Sequence, residues 1–193
     1  MKIYGLIIAG GFSSRADGYK MCFDFFGETM LERAIKSMEE FCDKIIVVGG
    51  YRNKDIEFIV SKFSKAQLVV NELYEEGMYS SVMKGFEELE CDRFFFMPGD
   101  YPNISRTTFI NLLKAEGNVV VPSYKMKAGH PVLIDGALIS NKENYIAHQS
   151  LKSFLKSIGV TYVSVKDPGI LMDVDTYEDY ERVRGVIDYE NNG

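Results

Sequence analysis

Ile3-Tyr4-Gly5-Leu6-Ile7-Ile8-Ala9-Gly10-Gly11-Phe12-Ser13-Ser14-Arg15 decides the reading of this chain. Residues 3–9 are apolar almost without interruption, where a strand with one wet face would alternate apolar with polar. Such a run belongs to a parallel sheet covered on both faces by helices. It stops abruptly at Gly10-Gly11, where the absent Cβ atoms permit a sharp turn and close backbone approach to a ligand.

The same grammar repeats outward from that stretch. Lys44–Val48 runs into Gly49-Gly50, Gln67–Val70 reads as a third strand, and Phe94-Phe95-Phe96-Met97 stops at Pro98-Gly99-Asp100. Val119–Val121 and Thr161–Val165 complete the main strands. Between them lie helical patterns. Thr29 and Glu32 make a capping box ahead of Met30, Leu31, Ala34, Ile35, Met38 and Phe41. Asp55–Phe63, Met78–Glu90, a helix capped by Ser105 that runs through Leu113, and Gln149–Lys156 follow. A last helix is capped by Thr176 and carries Tyr180, Val183 and Ile187. Residues 122–147 are less regular, with a short strand at His130–Ile134, and predict a small irregular sub-lobe. The alternation predicts one α/β domain over residues 1–193, a doubly wound, mostly parallel sheet with helices on both faces. Ligands of such sheets bind at the carboxyl ends of the strands.

Composition narrows the function classes. With 46% hydrophobic and 26% charged residues, the 193-residue chain can build a packed core. No apolar run reaches membrane-spanning length, and the amino terminus has no signal-peptide layout. Cys22, Cys42 and Cys91 form no CxxC pair, so reduced, mostly buried thiols and a cytoplasmic location are expected. The net charge of −6 argues against a nucleic-acid surface, though not against an anionic ligand held locally by backbone N–H groups and a few cations.

Four clusters carry the chemistry. In the first, Ala9, Gly10, Gly11, Ser13 and Ser14 can surround phosphate oxygens while Arg15 and Lys20 neutralise them. The competing reading is a plain strand-to-loop turn with two solvated cations, and the pattern is neither GxGxxG nor a P-loop. In the second, Asp100 stands just beyond a buried strand, either as a magnesium ligand or as a turn aspartate capping nearby N–H groups. In the third, Asp173 and Asp175 alternate before the last helix, pointing to one side of an extended segment. There an acidic helix start is the bland alternative, and it suffices for Glu178 and Asp179. The fourth joins Asn71, Gly77, Ser80 and Ser81 with His130, at a helix start and a Gly-His-Pro turn. A capped helix and a structural histidine explain those equally well; His148 reads as a surface residue.

Taken together, Leu6-Ile7-Ile8-Ala9-Gly10-Gly11-Phe12-Ser13-Ser14-Arg15 with Lys20, Gly99-Asp100-Tyr101-Pro102 and Asp173-Val174-Asp175-Thr176 resemble the signature of the molybdenum-cofactor nucleotidyltransferases, MobA-like and MocA-like. The likeness runs from residue 5 to about 184, with Ala16 and Asp17 departing from the usual Met-Gly. The resemblance implies a Rossmann-like fold of the nucleotide-diphospho-sugar transferase type. It also implies NMP transfer from an NTP to a phosphate-bearing small molecule, with release of pyrophosphate. It assigns Arg15, Lys20 and Asp100 to catalysis, and magnesium to Asp100 with Asp173 or Asp175. Nucleotide or acceptor contacts fall to Ala9, Gly10, Gly11, Ser13, Ser14, Asn71, Gly77, Ser80, Ser81 and His130. Gly129-His130-Pro131-Val132 and Gly169-Ile170-Leu171-Met172 look more like the cytidylyl than the guanylyl branch, favouring CTP and a molybdopterin-type acceptor. A partner molybdoenzyme or a homo-oligomer is consistent with that reading. The alternatives are a sugar- or alcohol-phosphate nucleotidylyltransferase, a non-catalytic nucleotide-binding module motivated by Ala16-Asp17, and a glycosyltransferase, disfavoured by the single carboxylate of Pro98-Gly99-Asp100.

Overall fold

The computed structural model describes residues 1–11 and 18–192. The chain opens with β1 (Ile3–Ile8), a short 3-10 turn at Lys20–Cys22 and a two-stranded hairpin of β2 (Asp24–Phe25) and β3 (Glu28–Thr29). Then come α1 (Met30–Glu39), β4 (Lys44–Gly49), α2 (Asn53–Val60), β5 (Ala66–Val70), α3 (Met78–Phe86) and β6 (Arg93–Pro98). The second half holds α4 (Arg106–Lys114), β7 (Val119–Tyr124), β8 (Lys127–Ala128), β9 (Val132–Asp135), α5 (Glu143–Ile146), α6 (Leu151–Ile158), β10 (Thr161–Ser164) and α7 (Tyr177–Asn192).

The main sheet runs β10-β7-β9-β6-β1-β4-β5, with β8 hydrogen-bonded to β7. Every neighbouring pair on that path is parallel except those made by β9, which is antiparallel to both β6 and β7. The irregular segment contributes its strand, β9, to the main sheet. Alternation along β1, β4 and β6 explains the continuous apolar runs. Ile7, Val47 and Phe95 face a core built with α1, α2, α4 and α7, whereas Leu6, Val48 and Phe96 face one built with α3, α5 and α6. From β1 the chain steps outward to β4 and β5, then returns to the other side of β1 as β6. That reversal opens a crevice at the carboxyl ends of β1 and β6, where this class of sheet takes its ligand. Ile8 lies opposite Pro98, so the glycine turn and Asp100 leave the sheet at the same level.

The helix signals hold where they are local. Thr29 and Glu32 form the capping box, Ser105 caps α4 and Thr176 shares reciprocal hydrogen bonds with Asp179. The third helix stops at Phe86 rather than Glu90, because Glu87, Glu88 and Glu90 would crowd negative charge at a helix carboxyl end. Ser150, with Ser153, caps α6 and moves its start past Gln149. β9 begins after Pro131, which has no N–H to give a ladder. Among the described residues no helix is long and apolar enough to cross a membrane.

Candidate active site

The turn after β1 is packed tightly at its first glycine and open at its second. A Cβ on Gly10 would lie 3.2 Å from the Gly50 nitrogen, whereas one on Gly11 would meet nothing within 4 Å among the described residues. Ala9, also buried, donates its N–H to the Val48 carbonyl at 2.8 Å, fixing the strand end. Ser13, Ser14 and Arg15 lie outside the described residues. The described residues resume at Gly18, followed by Tyr19, to which sequence reasoning gave no site role. Its buried hydroxyl lies 3.0 Å from the Ala9 carbonyl and 3.1 Å from that of Tyr51, tying the far end of the loop back to β1 and β4. Burial raises its phenol, so it stays protonated and donating.

Tyr19 thereby aims Lys20 into the crevice. The Lys20 Nζ donates to Asp100 Oδ2 at 2.7 Å, to Asp175 Oδ1 at 3.0 Å and to the Val174 carbonyl at 3.1 Å. Three segments separated by 80 and 155 positions meet on one ammonium. Burial opposes the charge on Lys20, but Asp100 and then Asp175 outweigh it and raise the amine, which stays protonated. Asp100 is driven up by burial, against the pull of Lys20. Its Oδ1 is buried with no hydrogen-bond partner among the described residues.

The acidic segment is docked by its backbone. The Val174 N–H donates to the Asp100 carbonyl at 3.0 Å, and the Val174 side chain is fully buried. Of the two flanking aspartates, Asp175 enters the ion pair. Asp173 makes no hydrogen bond or ion pair among the described residues; its charge is felt by Asp100 and by Tyr101. No three His, Cys, Asp or Glu side chains converge closely enough to cage a metal among the described residues. Magnesium does not need such a cage, since it takes one or two carboxylates and fills the remaining positions with phosphate oxygens and water. The orphaned Asp100 oxygen beside Asp175 fits that demand.

Beside the ion pair, a cavity of about 450 Å³ extends beneath β6, β9 and α6. Met78, Tyr79, Phe96, Tyr101 and Leu155 give it an apolar lining, with Lys152 and Lys156 on one wall. His130 lines it too, its ring 4.9 Å from Tyr101 and 5.7 Å from Phe96, edge to face. Burial pulls the imidazole down to about 4, partly offset by a hydrogen bond to the Phe96 backbone. The other ring nitrogen, Nδ1, has no partner among the described residues. A neutral His130 is expected to make the fold acid-sensitive. The unfolded histidine titrates near 6.5, so between 6.5 and about 4 the unfolded chain binds more protons and stability falls as pH falls. By about pH 5 the loss attributable to this ring is ~2 kcal/mol. Urea unfolding of wild type and His130→Gln at neutral pH and at about pH 5 measures it; equal acid losses in both proteins would refute it.

The fourth cluster divides. Asn71 is buried and donates to Ser80 Oγ and Ser81 Oγ, both at 2.9 Å, while its carbonyl oxygen accepts from the Leu73 N–H at 3.0 Å. These three side chains knit the end of β5 to the start of α3, so their polar atoms are engaged within the protein. Gly77, at φ +101°, is exposed at the mouth of that helix. His148 is half-buried against Phe154 rather than at the open surface. The thiols also depart from expectation, since only Cys42 is buried and Cys22 is exposed. Burial pushes the Cys42 thiol up to about 12 and Cys91 to about 11, and raises Cys22, so none is an activated nucleophile.

What the site offers is a glycine turn over a lysine–carboxylate cluster at a switch point, with an apolar cavity alongside: a place to grip a polyphosphate and seat a second molecule. Known proteins agree. A family model described as the MobA-like NTP transferase domain matches residues 5–163. The chain is 25% identical over 177 residues to the molybdenum cofactor cytidylyltransferase of Escherichia coli (strain K12), covering 91% of this chain and 92% of that protein. It is 29% identical over 195 residues to a probable molybdenum cofactor guanylyltransferase of Bacillus anthracis, covering 93% and 94%. Its fold matches a nucleotidyl transferase from Methanothermobacter thermautotroptrophicus with a TM-score of 0.84 at 20% identity, over 98% of this chain and 99% of that one. The chain belongs to the MobA-like NTP transferase family and is a nucleotidyltransferase of that kind.

Proposed function

We propose that this enzyme transfers CMP from CTP to the phosphate of a molybdopterin-type acceptor. An acceptor phosphate oxygen attacks the α-phosphorus, the bond to the bridging oxygen breaks, and pyrophosphate leaves with that oxygen. The attacking phosphate is already anionic, so no strong general base is required, and rate comes from positioning and charge neutralisation. The observation that carries this reading is the meeting of Lys20, Asp100 and Asp175 at the carboxyl ends of β1 and β6. In it, the glycine turn with Ser13, Ser14 and Arg15 holds the phosphates, Lys20 offsets their charge, and Asp100 with Asp175 holds a magnesium ion. When bound, that ion supplies positive charge against the phosphate oxygens. The cavity beside His130 and Tyr101 seats the acceptor.

The preference for CTP rests on the Gly-His-Pro-Val and Gly-Ile-Leu-Met segments and on the cytidylyltransferase relative. A guanylyltransferase relative of similar coverage makes GTP the competing base. Pyrophosphate release across the four common triphosphates, each with molybdopterin cofactor, a sugar phosphate or an alcohol phosphate, tests both choices. Release with CTP and the cofactor is expected. Release with GTP alone would overturn the base, and release only with a sugar phosphate would overturn the acceptor.

A further inference from the structure

Donor accounting at Lys20 raises a conflict with its role toward phosphates. An ammonium has three N–H donors. Here three acceptors stand within 3.1 Å: Asp100 Oδ2, Asp175 Oδ1 and the Val174 carbonyl. A phosphate oxygen can gain a bond from Lys20 only if one of these is given up. The carboxylates have the matching problem, because Asp100 and Asp175 share the ammonium of Lys20 between them. A divalent ion arriving alone must either displace that ammonium or bind against its charge. An ion arriving on a triphosphate brings the anion that takes over the displaced ammonium.

We propose that Lys20 is a resident cation that keeps the Asp100–Asp175 pair occupied until a metal–nucleotide complex enters, so that metal binds with nucleotide and not before it. This rests on the reading that these carboxylates hold the catalytic ion. It goes beyond it by making Lys20 a two-position residue, on the carboxylates in the empty enzyme and on phosphate in the loaded one. The gain is selectivity, because free divalent ions do not fill the site in advance.

The test measures binding of manganese to the full-length protein by the electron paramagnetic resonance signal of the free ion, without and with α,β-methylene-CTP. For wild type, manganese alone should bind at least about tenfold more weakly than manganese with the analogue. Lys20→Met, and Lys20→Gln which keeps a donor but loses the charge, should bind manganese alone about tenfold more tightly than wild type. Adding Asp100→Asn to Lys20→Met should remove that gained affinity. The proposal is overturned if wild type binds manganese equally well with and without the analogue, or if neither folded Lys20 variant gains affinity. Should both variants misfold by circular dichroism, the wild-type comparison alone decides. The manganese-only arm contains neither base nor acceptor. An error in the CTP or molybdopterin assignment therefore appears in pyrophosphate release and leaves this arm unmoved.

Discussion

Asp100→Ala is expected to abolish nucleotidyl transfer, lowering kcat by about 10³-fold or more while the fold survives. The two halves of that expectation have separate causes. Asp100 stands at the end of β6, and its Oδ1 is buried without a partner among the described residues, an arrangement that costs stability unless something else uses the oxygen. Burial raises its carboxyl against the pull of Lys20. Deleting the carboxylate removes that cost, and Lys20 retains Asp175 and the Val174 carbonyl. Thermal melting should therefore shift little. Asp100→Asn preserves shape and an acceptor for Lys20 but loses the charge, and should be nearly as inactive. Pyrophosphate release with magnesium present checks both; substantial turnover by the alanine variant would remove Asp100 from the mechanism.

The second large effect lies away from the carboxylates. A Cβ on Gly129 would fall 2.1 Å from the Ile170 carbonyl oxygen and 2.8 Å from its carbon. Backbone cannot rotate aside as a side chain can. Around it, the His130 N–H donates to that same Ile170 oxygen and the Gly129 N–H donates to Pro122, both at 3.0 Å. Gly129→Ala must push apart the turn before β9 and the turn at Pro168–Leu171, which feeds directly into Asp173-Val174-Asp175. A stability loss of about 1–3 kcal/mol is expected, together with reduced kcat because Asp175 is displaced from Lys20. Gly185→Ala, on an exposed face of α7 with nothing within 4 Å, is the control and should be neutral or stabilising. Urea unfolding and pyrophosphate release on both variants separate these outcomes. An unchanged Gly129→Ala protein would mean that the two turns are not rigidly joined.

Local chemistry was readable in the sequence, and contacts across long separations were not. The apolar run of β1, its glycine exit and the Thr29–Glu32 box are each written within a few residues, and each stands where the pattern placed it. The Lys20, Asp100 and Asp173–Asp175 motifs were visible singly, and the resemblance supplied their association. Which of Asp173 and Asp175 pairs with Lys20 depended on how Val174 docks against Asp100, which no spacing rule reveals. Tyr19 carried one faint signal, a large aromatic residue within a loop of small polar ones. Asn71, Ser80 and Ser81 read two ways for the opposite reason, since residues that contact nucleotides are also those that knot a buried turn. The polarity of β9 was hidden because a four-residue strand carries no mark of direction.

That polarity has a consequence of its own. Every other long strand delivers to the rim whatever follows it, whereas β9, running the opposite way, delivers what precedes it. The Gly129-His130-Pro131 elbow reaches the rim for this reason alone, while Asp135 is carried to the far end beside Arg93. One wall of the pocket thus hangs from an upstream hairpin tip at Lys125-Met126, anchored in a strand pair separate from β1 and β6. Length and composition at that tip can drift without disturbing the alignment of Ile8 with Pro98.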